Sequence, residues 1–191
     1  TGGIGSLVMN LVKYGKRTGD EMNLSFDFIV PAGSHYISEL NENGFSFHVS
    51  PPLYQLPAYY RFLKALFKQN AYDYLWFNNT SKVNLLLPLY AKKHGVKLIA
   101  HPHGVDMEEK GIKRVVYKLL DVVNRKKMFS LIDVPFACSE EAANVYYRGN
   151  DSLRQRTTII RNGIAVGDYA YIEEKRQKIR YELSIAENDI L

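Results

Sequence analysis

The chain has 191 residues, 46% of them hydrophobic and 24% charged, enough to bury a full core and too apolar for a disordered chain. Apolar runs such as Val83 to Tyr90 are broken by polar residues and fall short of a membrane span, and the single cysteine, Cys138, excludes a disulfide framework and fits a reducing compartment. A net charge of +5 points to an anionic partner, and no nucleic-acid recognition motif accompanies it.

Gly2, Gly3 and Gly5 run directly into Ile4, Leu7, Val8, Leu11 and Val12, whose spacing is one face of a helix that Gly15 and Gly19 let end. Glycines at a helix start make either a tight turn or a cradle whose free N–H groups hold phosphate. Such a loop normally springs from a strand. None precedes it and the first residue is Thr, so the first strand is expected to be missing and the N-terminus trimmed. Residues 23–30 alternate as a strand up to Pro31-Ala32-Gly33, 34–43 read as a helix stopped by Gly44, and 45–49 as a second strand. After the stiff Pro51-Pro52 come a helix over 58–70, with Arg61, Lys64 and Lys68 on one side, and a buried strand over 72–77. A helix over 81–94 stops at Gly95, and the strand 96–100 runs into His101-Pro102-His103-Gly104.

Ile112, Val115, Val116, Leu119, Leu120 and Val123 give the next helix its apolar stripe, the side such a helix ordinarily turns to the core. Residues 131–138 return as a strand interrupted by Pro135. Ser139 then caps a helix whose first turn carries Glu140 and Glu141. A polar stretch over 148–156 leads to a strand at 157–160, the turn Arg161-Asn162-Gly163-Ile164, and a charged helix over 172–183. Asp189-Ile190-Leu191 reads as the start of a further strand.

Regular alternation of strand and helix implies an α/β fold with a mostly parallel, Rossmann-like sheet and helices on both faces. Ligands in such sheets sit beyond the carboxyl ends of the strands. Four sequence features fall there: the glycine loop, Asn78-Asn79-Thr80, His101-Pro102-His103-Gly104 and Cys138-Ser139-Glu140. Two imidazoles at i and i+2 suit a metal pair, with Asp106 as a third ligand, but Met107 stands where a further His is wanted and His35, His48 and His94 lie elsewhere, so no metal is expected. His101, nearer the strand, reads as structural. His103, followed by Gly104 for close approach, suits hydrogen bonding to a sugar hydroxyl or phosphate. Tyr60 and Lys64 have a Tyr-x3-Lys spacing that Tyr171 and Lys175 repeat, so the pattern carries no weight. Two basic helices, around Tyr59 to Lys68 and Lys113 to Lys127, could dock on an anionic membrane face, with Tyr59, Tyr60, Phe62 and Phe67 as anchors in the first; a solvated surface is the plainer reading.

Taken in order, GGIGSLVMNLV, KKHGVKLIAHPHG, ACSEEAA, IIRNGIAVGDY and KRQKIRYELSI resemble the N-terminal domain of GT-B fold glycosyltransferases of the retaining family 4 type, which build cell-surface polysaccharides. The resemblance implies transfer of a sugar from a nucleotide sugar, UDP- or GDP-linked, to a growing glycan or lipid-linked acceptor, with no other cofactor, in the cytoplasm or peripherally on the inner face of the plasma membrane. It implies an acceptor-binding domain over 1–165, a linker helix over 166–191, and an absent C-terminal nucleotide-sugar domain, so that this chain alone would not catalyse transfer. His103 would be catalytic, beside the transferred sugar. Gly2 and Gly3 would lie near the donor phosphates and acceptor, Gly104 and Asn162 would belong to the substrate-binding set, and Asn79 would line the acceptor side by position. Ala165 replaces the family's usual acid. A noncatalytic phosphate- or nucleotide-binding module, or a metal hydrolase using His101, His103 and Asp106, are the alternatives.

Overall fold

A computed structural model of the chain describes residues 5, 7–10, 14, 24–78, 81–104, 110–163, 166–186 and 189. Among these residues six strands, each paired in parallel, form two sheets: β1 (Asp27–Pro31) beside β2 (Ser46–Ser50), and β3 (Tyr74–Phe77), β4 (Lys97–Ala100), β5 (Val134–Ala137) and β6 (Thr158–Ile159) in that order. Parallel neighbours need crossovers. These are α1 (Tyr36–Glu42), α3 (Leu86–Lys93), α4 (Gly111–Leu131), and α5 (Glu140–Tyr146) with α6 (Asp151–Arg156), while α2 (Leu56–Gln69) runs from one sheet to the other; a 3-10 turn (Val166–Tyr169) and α7 (Glu173–Glu182) follow.

The main core lies under the four-stranded sheet, where Leu63, Ala91, Leu98, Met128, Ala137 and Tyr147 are all but fully buried. A smaller cluster of Met9, Val30 and Leu40 docks the first helical residues on β1 and α1. Gly5 is glycine for a steric reason, since a Cβ there would run into the Tyr36 ring.

Among the described residues no strand pairs with both sheets. At their amino ends the sheets are tied by side chains. The Tyr72 hydroxyl donates to Asp27 Oδ2 at 2.8 Å, and His48 Nε2 lies 3.2 Å from the same oxygen.

Five local expectations are corrected. The third helix begins at Leu86, not residue 81, because side chains take up backbone N–H groups before it and in its first turn: Lys82 N–H donates to Asp121 Oδ1 at 2.7 Å, and Leu87 N–H donates to Asn84 Oδ1 at 3.3 Å. The polar stretch over 148–156 contains a helix, α6, which Asn150 caps by accepting from Leu153 N–H at 3.0 Å. In α2, Tyr59 and Phe67 are core residues, 3% and 7% exposed, so they cannot anchor that helix to a membrane. The aliphatic stripe of α4 faces solvent, because the opposite side carries Asp121, bound to buried Lys82. Asp189 is not in a strand, and Ile190 and Leu191 lie outside the described residues.

Candidate functional site

Pairing in register brings the strand ends level. Phe77 of β3 lies opposite Ala100 of β4, and His101 N–H donates to the Phe77 carbonyl at 3.0 Å, so Asn78 and the segment His101 to Gly104 leave the sheet side by side. Cys138 N–H donates to the Pro102 carbonyl at 3.1 Å and Ile160 N–H to the Ala137 carbonyl at 2.9 Å, which brings the ends of β5 and β6 to the same edge. Beneath this edge Tyr147, the cap at the carboxyl end of α5, is fully buried. Its hydroxyl donates to the Phe136 carbonyl at 2.9 Å and lies 3.3 Å from that of Ala100, fixing the last turns of β4 and β5.

His103 sits between two carboxamides. Its Nε2 is 2.8 Å from Asn78 Oδ1 and its Nδ1 is 3.2 Å from Asn162 Oδ1. Burial pulls the His103 pKa below the ordinary imidazole range, against the opposing bond to Asn162, so the ring is mostly neutral at neutral pH. A neutral imidazole has one N–H and one lone pair. One carboxamide therefore accepts from the ring, and the other turns its NH2 toward it.

His101 lies below, 1% exposed, its ring centroid 4.1 Å from that of His103. Trp76 Nε1 donates to His101 Nδ1 at 3.2 Å, which leaves the ring proton on Nε2. Burial, and then the neighbouring His103, push its pKa down to about 4, while the Ile160 backbone beside the ring works the other way without reaching full hydrogen-bond geometry. Because Nδ1 already accepts from Trp76, His101 is poorly suited to bind a metal through that atom. No group of three or more His, Cys, Asp or Glu that could hold a metal occurs among the described residues. Asp106 lies outside them.

The structure thus brings together His101, His103, Gly104 and Asn162 of the residues singled out in the sequence. Gly2, Gly3 and Asn79 lie outside the described residues, and so does Ala165. Ser139 is engaged as a cap, its Oγ accepting from Ala142 N–H at 3.1 Å. Asn78 stood in the sequence only as part of the Asn78-Asn79-Thr80 cluster, with no role of its own, and Trp76 and Tyr147 escaped the sequence reading. The signal for Asn78 was its place as the first polar residue beyond a buried strand; nothing local marks the other two. A hollow lined by Phe67, Tyr72, His94 and Val96 is at the amino ends of β3 and β4, away from His103.

The Glycosyltransferase Family 4 model matches residues 1–167. Among solved structures, the crystal structure of Anabaena Alr3699/HepE in complex with UDP is similar to this chain, with a TM-score of 0.63 and 14% identity over 96% of this chain and 47% of that one. This chain therefore spans about half the length of that structure, and at this identity the likeness is one of fold, that of a GT-B glycosyltransferase domain. No curated protein matches the sequence.

Proposed function

Because the chain belongs to glycosyltransferase family 4, we propose that it forms the acceptor-binding half of an enzyme that moves a sugar from a nucleotide sugar to a growing glycan or lipid-linked acceptor in cell-surface polysaccharide synthesis. The observation that carries this reading is His103, held neutral between Asn78 and Asn162 at the carboxyl ends of parallel strands. A sugar hydroxyl both donates and accepts. A neutral imidazole with a carboxamide on each side offers both functions in one fixed plane, and a ligand hydroxyl can replace either carboxamide without leaving a ring nitrogen unpaired.

His103 in this reading contacts the transferred sugar, with Gly104 giving room for close approach and Asn162 and Asn79 lining the substrate. N–H groups at Gly2 and Gly3 offset charge developing on the departing diphosphate. Retention follows a front-face route of the kind the family implies, hexosyl transfer with no metal. The UDP in the crystal structure similar to this chain supports a uridine nucleotide over a guanosine one. Residues 1–165 form the acceptor domain and 166–191 the link to a nucleotide-sugar domain, which this chain needs for turnover. The enzyme works in the cytoplasm, at the inner face of the plasma membrane.

A panel of UDP- and GDP-sugars, offered to the full-length protein with membrane-extracted glycolipid acceptors, tests this. Label moving from one donor into the acceptor fraction is the expected result. Nucleotide binding with no transfer to any acceptor would make the protein a noncatalytic nucleotide-binding module.

A further inference from the structure

Helix α4 is built with its apolar side outward. Its buried side is polar along most of its length: Asp121 is 8% exposed and accepts from Lys82 N–H at 2.7 Å, and Asn124 Nδ2 donates to the Lys82 and Val83 carbonyls at 2.9 and 3.3 Å. Apolar burial is confined to its last turn, at Met128, Phe129 and Leu131. Ile112, Val115, Val116, Leu119, Val122 and Val123 are 47% to 85% exposed. At the rotation of an α-helix these six fall within an arc of about 120°, a continuous aliphatic strip along about three turns. Lys118, Lys126 and Lys127, all exposed, border or extend the strip, and the only acid in the helix, Asp121, is on the buried side.

An aliphatic strip of this size on a water-facing helix marks a surface that something covers. The charges say what. A second copy of the helix packed strip to strip would set lysines against lysines with no acid on the exposed side of either helix to answer them. Anionic headgroups answer them, and long lysine side chains reach the phosphate level while the strip sits in the acyl boundary. No helix among the described residues is long and apolar enough to cross a membrane, so α4 would lie along the surface, not through it.

We propose that α4 is a docking helix for anionic lipid, seated with Val116, Leu119 and Val123 deepest. The lipid surface stands independently of the transferase reading and is tested without a transfer assay.

Co-sedimentation of the full chain with vesicles of phosphatidylglycerol and phosphatidylcholine, against phosphatidylcholine alone, provides the test. The wild type binds the anionic vesicles and releases them as salt rises. A triple Val116→Glu, Leu119→Glu, Val123→Glu variant loses at least about tenfold in vesicle affinity with unchanged circular dichroism. A Lys118→Gln, Lys126→Gln, Lys127→Gln variant leaves the apolar strip whole, loses anionic binding by a similar factor, and decides the matter if the glutamate variant fails to fold. Wild-type protein that ignores anionic vesicles overturns the proposal. So do folded variants that bind like wild type. A wild-type dimer that the glutamates dissociate, with vesicle binding unchanged, would give the strip to a second copy.

Discussion

His103 takes its charge state from its neighbours. Burial opposes the imidazolium and outweighs the Asn162 bond, which favours it. Replacing Asn78 by Asp sets a carboxylate against Nε2, so Asn78→Asp should raise the His103 pKa and charge the ring at neutral pH. Imidazole titration by nuclear magnetic resonance checks this, and an unmoved His103 would mean that the 2.8 Å contact is not made in solution. His101 makes a separate claim about stability. Its pKa is about 4 in the fold against 6.5 for the free group, so between those values the unfolded chain binds more protons than the folded one. Its contribution is therefore complete above pH 6.5 and is lost as pH falls toward 4, at up to ~1.4 kcal/mol per unit, with no further loss below. Thermal melts across this window should show the decline. The pairing of His101 and His103 at a strand end was legible from two letters of spacing. Which asparagine meets His103 was not, because the choice of Asn78 depends on the register of β3 with β4, and register is a property of two strands.

Helix α4 shows what periodicity can and cannot say. Its aliphatic spacing identifies a helix with two unlike faces, and the helix is there. Which face turns inward is decided by Asp121, Lys82 and Asn124, whose partners lie about forty residues apart in sequence. Lys82 is 3% exposed, with its ammonium 3.9 Å from the Tyr146 ring centre and 3.5 Å from Asp121 Oδ2, so the polar side of α4 is what a buried cation requires. The consequence is an inversion of the usual mutational map. Val123→Ser, on the strip, should change stability by less than ~0.5 kcal/mol, whereas Met128→Ala, at a fully buried position, should cost ~2–4 kcal/mol. Urea denaturation of both variants checks the pair; a large loss at Val123 with little at Met128 would show that the strip faces the core. The missed helix α6 has a different cause. Six residues are too few to display a period, and only its cap, Asn150, marked it.

At the scale of the molecule, parallel strands set the site at their carboxyl edge and leave a structural tie at the other. Burial raises the pKa of Asp27, but bonds from Ser46, Tyr72 and His48 outweigh it and hold the carboxyl below its ordinary value. Asp133 behaves alike: burial is outweighed by the Lys92 ammonium, 2.8 Å away, and by the Leu98 N–H. Both carboxylates stabilise the fold fully above their free value of 3.8 and cease to as pH falls through their lower folded values, which lies below the window of His101. Asp133→Asn should cost ~1–2 kcal/mol at neutral pH, and the difference from wild type should shrink in acid, as pH-dependent melts would show. The parallel α/β architecture was legible in the alternation of strands and helices. Its division into two sheets was not, since that depends on which strands find neighbours.

The account rests most on His103 at the meeting point of three strand ends. The measurement that bears on it most directly compares sugar transfer by the full-length protein with that of its His103→Ala variant, at matched circular dichroism and melting temperature. The variant should retain its fold and lose at least about a hundredfold in kcat/KM, the scale of one positioned polar group at a reacting centre. Turnover close to wild type in a folded variant would contradict the account.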